Sequence, residues 1–141
     1  MPTPVQQQVR DAIIAEIAKV PGIGYTGLLR RMWDTQARFP AAPIVEEPLE
    51  KERFPTQSKT AHARFRVPVL IKGSQEPEND FLELAANIED QIEDDPRLGG
   101  LTLDCWVSGY GSFGTAPEIA EDVYVRNVFI DAEYRHPRAQ A

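Results

Sequence analysis

Between Glu78 and Asp94 the apolar residues Phe81, Leu84, Ala85, Ile88 and Ile92 recur at steps of three and four, and Asp95-Pro96-Arg97-Leu98-Gly99-Gly100-Leu101 follows immediately. Spacing of that period puts one apolar stripe on a helix, and such a stripe must be buried against another layer. The Asp-Pro and Gly-Gly pairs then stop the helix and turn the chain, and Leu101 to Ser108 reads as a strand leaving the joint. Glu83, Asn87, Glu89, Asp90, Gln91, Glu93 and Asp94 cover the rest of the helix. Carboxylates at a helix C-terminus oppose the macrodipole, at a few tenths of a kcal/mol each when exposed. Their placement therefore does not serve helix stability.

The remaining segments fit a layer around this helix. Val5, Val9, Ala12, Ile13, Ile17 and Val20 carry helical spacing, with Thr3 as N-cap, Pro4 at the first helical position and Gln6 completing a capping box. Val20-Pro21-Gly22 ends that helix. Tyr25 to Trp33 reads as a strand with a possible bulge at Gly27. Residues 34–63 hold four prolines among many charges, which predicts a Pro-rich excursion around one short strand near Ile44 to Glu47. From Ala63 to Lys72 the chain alternates, with Phe65, Val67, Val69 and Ile71 on one face and Arg64, Arg66 and Lys72 on the other. Pro68 within it suggests an edge strand or a bulge. After a loop at Gly109 to Asp122, Val123 to Tyr134 forms the last strand, where Val123 and Val125 fall on one face and Val128, Ile130, Ala132 and Tyr134 on the other. That change of phase predicts a bulge near Arg126-Asn127. The tail from His136 to Ala141 is expected to be loose. The fold class is α+β: one domain over residues 1–141, a mostly antiparallel sheet of four to five strands, and two main helices on one face.

Charge and composition narrow the function. A chain of 141 residues buries roughly two thirds of its unfolded surface, enough for a true core. Its net charge of −7 argues against a protein that grips duplex DNA, because phosphate binding depends on Lys and Arg displacing counterions. Its apolar runs fall short of the ~20 residues of a membrane helix, and the N-terminus lacks a signal-peptide pattern. The single cysteine, Cys105, cannot make an internal disulfide and reads as a buried small hydrophobe in a protein used in a reducing cytoplasm.

Catalytic signals are weak. Gly22-Ile-Gly24-Tyr-Thr-Gly27 and Gly109-Tyr-Gly111-Ser-Phe-Gly114 spell a dinucleotide fingerprint, but neither lies between an incoming strand and an outgoing helix, where the motif binds pyrophosphate. His62 and His136 stand far apart and read as exposed loop residues. Asp104, Asp131 and Glu133, in or beside strands, are the only support for a small metal-dependent hydrolase. No cofactor, metal or catalytic residue is expected. The acidic runs Glu46-Glu47, Glu50 to Glu52 and Glu89 to Asp95 read first as solvated faces. On the wall of a channel they would instead keep sliding DNA from sticking.

In order and spacing, several segments resemble the tail terminator, or tail completion, proteins of long-tailed bacteriophages. They are Ile17-Ala-Lys-Val-Pro-Gly-Ile23 after the first helix, Pro43-Ile-Val-Glu-Glu47, the strand ending at Gly73, the joint Asp95 to Leu101, and the closing strand ending in Tyr134-Arg135. The resemblance spans about residues 5–135. It implies a noncatalytic virion protein, assembled in the host cytoplasm, that forms a hexameric ring on the head-proximal end of the tail tube. Its partners would be copies of itself, the tail tube protein and a head completion or neck protein, with DNA passing through the lumen without specific binding and no membrane involved. The family has no shared catalytic residues to carry over, and the segment 46–60 is an insert relative to simpler members. The rival readings are a head completion or neck ring subunit, the hydrolase above, and a cellular adaptor with an open edge strand. Candidate interface residues are Phe39, Phe54, Tyr110 and Phe113, aromatics in expected loops, together with Glu46, Glu47 and Arg53 of the excursion. Each aromatic could equally cap the domain's own core.

Overall fold

The computed structural model describes residues 5–27, 39–46, 50–52, 59–117 and 121–136. Its elements run α1 (Val5–Ala18), β1 (Val45–Glu46), β2 (Glu50–Glu52), β3 (Lys59–Lys72), α2 (Pro77–Asp94), a 3-10 turn (Leu98–Gly100), β4 (Asp104–Tyr110), β5 (Gly114–Thr115) and β6 (Val123–His136). The sheet is antiparallel throughout, in the order β1-β3-β6-β4, with β2 also pairing β3 and β5 also pairing β6. It is an α+β layer, with both helices packed on one face.

The core follows from the two periodicities. α1 buries Val9, Ile13 and Ile17, and α2 buries all five residues of its apolar stripe. These meet the odd-numbered residues of β3 from Ala61 to Ile71 and the even-numbered residues of β6 from Val128 to Tyr134. The register aligns the two sets: Phe65 stands opposite Ile130 and Val67 opposite Val128. Phe65, Phe81, Ile88, Ile92 and Ile130 are fully buried, and burial of side chains this large contributes roughly 1.5–3 kcal/mol each. Gln91 ties the helices together by donating to Glu16 at 2.6 Å. That bond, despite opposing burial and with help from Lys19, holds the Glu16 carboxyl below its ordinary range.

The joint after α2 is built from backbone conformations that suit glycine. Gly99 and Gly100 have φ of 70° and 99°, where a Cβ would strain the chain. Asp95 accepts the Gly99 N–H at 2.9 Å, and Thr102 donates its hydroxyl to the Pro96 carbonyl at 2.8 Å. Leu98 also has a positive φ, of 47°. Its side chain is buried in the core beside α1, which holds the residue there.

Several expectations are corrected. β6 pairs with β3 from Val123 to His136 without a register shift, so no bulge stands at Arg126-Asn127. The phase change has another cause: at this end the second sheet face is covered too, and Val123 packs there with Ala41, Leu70 and Ala116. The bulge lies instead in β4, between Val107 and Gly109. Pro68 sits neither on an edge nor at a bulge, because β3 is internal. The register from Ala41↔Leu70 to Val45↔Arg66 sets Pro43 opposite it, so two residues without N–H groups face each other. The excursion contains a second short strand, β2, and β3 begins at Lys59, not Ala63. His62 is therefore a strand residue, and His136 closes β6. β4 runs from Asp104 to Tyr110, and β5 lies within the expected 109–122 loop. Of the expected strand at Tyr25 to Trp33, Tyr25 forms an isolated parallel bridge to Ala41. Residues 28–38 lie outside the described residues, as do Thr3, Pro4 and 137–141.

Candidate functional site

The sheet face away from the helices carries the polar half of each alternating strand. β3 contributes His62, Arg64 and Arg66, β6 contributes Phe129, Asp131 and Glu133, and β4 contributes Asp104 and Trp106. Arg64, Asp131 and Trp106 form one cross-strand row, and His62, Glu133 and Asp104 form the next. The three carboxylates considered for a hydrolase thus do share one face.

Asp131 is only 2% exposed, although among the described residues no helix packs on this face. A buried carboxylate must be satisfied by donors, and three side chains supply them. Arg64 donates from Nε at 3.0 Å and Nη2 at 3.2 Å, Ser108 donates from Oγ at 2.8 Å, and His62 Nε2 lies 2.7 Å from Oδ2. With the carboxylate ionised, Nε2 carries the shared proton. Burial pushes the Asp131 carboxyl up, but the bonds from Arg64, Ser108 and His62, with the Arg64 charge, outweigh it and hold the group below its usual range. Ser108 reaches this position because it is the extra residue of the β4 bulge.

Around the carboxylate the larger groups are fixed in place. The His62 and Trp106 rings lie 5.8 Å apart at 44°, and the Arg64 guanidinium carbon sits 6.0 Å from the Phe129 ring centroid. Trp106 and Phe129 remain half-buried, and Arg64 is exposed.

This geometry is that of a clamp. Ser108 and His62 bond different oxygens of one carboxylate, not each other, so the serine–imidazole contact of a hydrolytic triad is not formed. The Asp131 oxygens are occupied by cationic and hydroxyl donors, and Asp104 accepts the Cys105 N–H at 2.9 Å. Among the described residues no group of three or more His, Cys, Asp or Glu is arranged to hold a metal ion. Cys105 lies on the helix side, 1% exposed. Burial, with the nearby charges of Asp104 and Asp131, pushes its thiol up to about 12, which keeps it in the unreactive protonated form.

A second surface lies on the far side of the helical layer. The outward residues of α2 include Leu82, 50% exposed, and Ala86 one turn later, flanked by exposed Glu83, Asp90, Glu93 and Asp94. α2 contains no Lys, Arg or His, and among the described residues the ion pairs join Arg10 to Asp11, Lys19 to Glu16, and His62 and Arg64 to Asp131.

The candidate interface residues fall in separate places. Phe39 packs with the small cluster around Ala41, Leu70, Ala116 and Val123, and the Lys72 ammonium lies 5.7 Å from its ring. Tyr110 sits on the helix side, edge-on to Phe81 at 5.5 Å, donating to Glu89 at 3.2 Å, with the Arg126 guanidinium 5.5 Å from its ring. Burial and the Glu89 charge raise the Tyr110 phenol above its ordinary value. Phe113 stacks on Tyr124 at 5.7 Å. Glu46 ends β1, while Glu47, Arg53 and Phe54 lie outside the described residues. The clamp was missed as a unit, and its one sequence signal is the polar half of two alternations, His62-Arg64-Arg66 and Asp131-Glu133.

No protein-family model and no curated protein matches the sequence. Among solved structures, the chain aligns with one from the virion of a native gene transfer agent particle, at 11% identity and a TM-score of 0.39, over 94% of this chain and 92% of that one. A second solved chain aligns at 14% identity and a TM-score of 0.45, over 93% of this chain and 95% of that one. At these scores neither alignment carries an argument about role.

Proposed function

We propose that this chain is a noncatalytic virion subunit that closes the head-proximal end of a phage tail tube as a ring of identical copies. The observation that carries the reading is the sheet face opposite the helices. It presents Trp106, Phe129 and Arg64, the residue types that dominate contact energies, on a scaffold held rigid by a buried carboxylate. Asp131, Arg64, Ser108 and His62 are engaged with one another, which suits a docking surface better than a reaction centre. The sequence resemblance to tail terminators supplies the context, with the tail tube protein and a neck protein as partners and the lumen open to DNA.

Ending a polymer requires one side that mimics the next ring and another that cannot bind a further tube subunit. The short strands of the excursion, β1 and β2, lie on one side of the β3–β6 pair and β4 with β5 on the other, which gives the sheet two different sides for such contacts. The hydrolase reading is disfavoured because Arg64 occupies the carboxylate that would have to bind a cation.

The test mixes purified protein with tail tubes and images them by negative stain. The reading expects one ring per tube, at a single end, and shorter tubes when the protein is present during polymerisation. Tubes left bare, or decorated along their length, would refute it.

A further inference from the structure

We infer that the cleft between the N-terminal half of α2 and the turn after α1 is a binding site for an arginine side chain presented by a basic protein partner. The cleft has a volume of about 220 Å³. Asp80, Glu83, Leu84 and Asn87 line it from α2, and their spacing places them on one stripe of the helix. Pro21, Gly22 and Pro40 face that stripe, with Ile71 at the end of β3. Leu84 and Ile71 are buried, Asn87 is half-buried and the two carboxylates are exposed. The cleft thus joins an apolar lining to two negative charges and a carboxamide.

These polar groups are not used within the chain. Among the described residues the Glu83 and Asn87 side chains make no hydrogen bond or ion pair, and Asp80 is bonded by the Ser74 hydroxyl alone. Cations in the adjoining segments are engaged elsewhere: Lys19 pairs with Glu16, and the Lys72 ammonium lies over the Phe39 ring. The walls are fixed as well. Gly24 donates to the Pro40 carbonyl at 2.7 Å, Ala41 and Leu70 exchange backbone bonds of 2.9 and 2.8 Å, and a Cβ on Gly22, whose φ is 87°, would stand 3.8 Å from Leu84 Cδ2. A cleft held open before its ligand arrives loses little ordering entropy on binding.

Arginine suits this combination. Its methylene stem can lie along Pro21, Pro40 and Leu84, and its guanidinium supplies N–H donors in a planar fork to the two carboxylates and the Asn87 carbonyl. The cleft has room for about seven waters at ~30 Å³ each, about as many as an arginine side chain has heavy atoms. The chain carries a net charge of −7, so a second copy meets net repulsion on approach while a basic protein is drawn in. The site does not require the ring reading.

The test titrates the isotope-labelled full chain with N-acetyl-arginine amide while two-dimensional NMR follows the backbone amides. Saturable shifts are expected at Gly22, Ile71, Glu83 and Asn87, with capped citrulline, the uncharged isostere, binding about tenfold more weakly. Asp80→Asn/Glu83→Gln should weaken arginine binding about tenfold, and added salt should weaken it too. Asn87→Asp, which adds a third carboxylate, should tighten binding about threefold and serves should the paired variant fail to fold. Absence of saturable shifts, shifts centred elsewhere, or an equal response to citrulline would overturn the site. Light scattering of the same samples tests the occupant: self-association unchanged by Asp80→Asn/Glu83→Gln supports a different protein as the source of the arginine, and self-association abolished by it would assign the cleft to a second copy and overturn the basic partner.

Discussion

Replacing either partner of the Arg64–Asp131 pair should cost unequal amounts, because the two charges differ in their access to water. The Asp131 side chain is 3% exposed and that of Arg64 is 53% exposed. Arg64→Leu removes two charge-assisted bonds and leaves a carboxylate that cannot hydrate, held only by Ser108 and His62. Loss of one partner from a buried pair costs about 3–5 kcal/mol, and the two surviving donors put this case near 3 kcal/mol. Asp131→Leu leaves Arg64 and His62 able to turn toward solvent, so its cost should be nearer 1 kcal/mol, within the range of an ordinary hydrogen-bond loss. The double variant should resemble Asp131→Leu alone, giving a coupling of about 3 kcal/mol between neighbouring sites.

Urea denaturation followed by circular dichroism at pH 7 and pH 4 measures all three variants. The sign of the pH effect is fixed. In the wild type the Asp131 carboxyl is lowered on folding, so its contribution is present above the unfolded value of about 3.9 and is lost as pH falls through the folded value. Without Arg64, burial dominates and moves the carboxyl upward, so the Arg64→Leu penalty should shrink as the pH is lowered. Equal costs for the two single variants, or a penalty unchanged between pH 7 and pH 4, would refute the buried ionised clamp.

Three further outcomes follow from the packing. Phe81→Ala, at a fully buried position that also loses its edge-on contact with Tyr110 and the Arg126 guanidinium 4.9 Å away, should cost about 3–5 kcal/mol by thermal melting. A loss below 1 kcal/mol would contradict the core described. Cys105, 1% exposed with its thiol raised to about 12, should react with a thiol reagent only at the rate at which the chain opens, and prompt labelling of native protein would contradict its placement. Tyr110 has a raised phenol, so its contribution is present below the unfolded value of about 10 and is lost as pH rises through the folded value. Tyr110→Phe should therefore flatten the alkaline end of the stability profile, and an unchanged profile would argue against the half-buried Tyr110–Glu89 contact.

The parts of the fold legible in the sequence are those in which one element faces one layer. The five-residue stripe of α2, the odd and even faces of β3 and the even face of β6 follow directly from period, because each meets the same core along its length. Legibility failed where a second layer or a distant partner intervened. Val123 and Val125 break the phase of β6 because residues near Ala41 and Ala116 cover the other face at that end, and a local pattern cannot distinguish this from a bulge. The real bulge, at Ser108, lies in a Ser-Gly pair that reads as a turn. His62 stands between two alanines, whose small side chains give a weak alternation, and only pairing with β6 extends β3 to Lys59. The clamp needs that register, joining residues 62 and 64 to 131, which no spacing within one segment encodes. Tyr110 reads as a loop aromatic because glycines flank it, yet it closes β4 over Phe81.

The most direct test of the central claim is the native mass of the full chain, by light scattering over a range of concentrations with and without tail tubes. The account predicts a closed assembly, six times the 15.8 kDa chain mass, seen at one tube end in the same sample. A chain that remains at 15.8 kDa at every concentration and leaves tube ends unoccupied would contradict it.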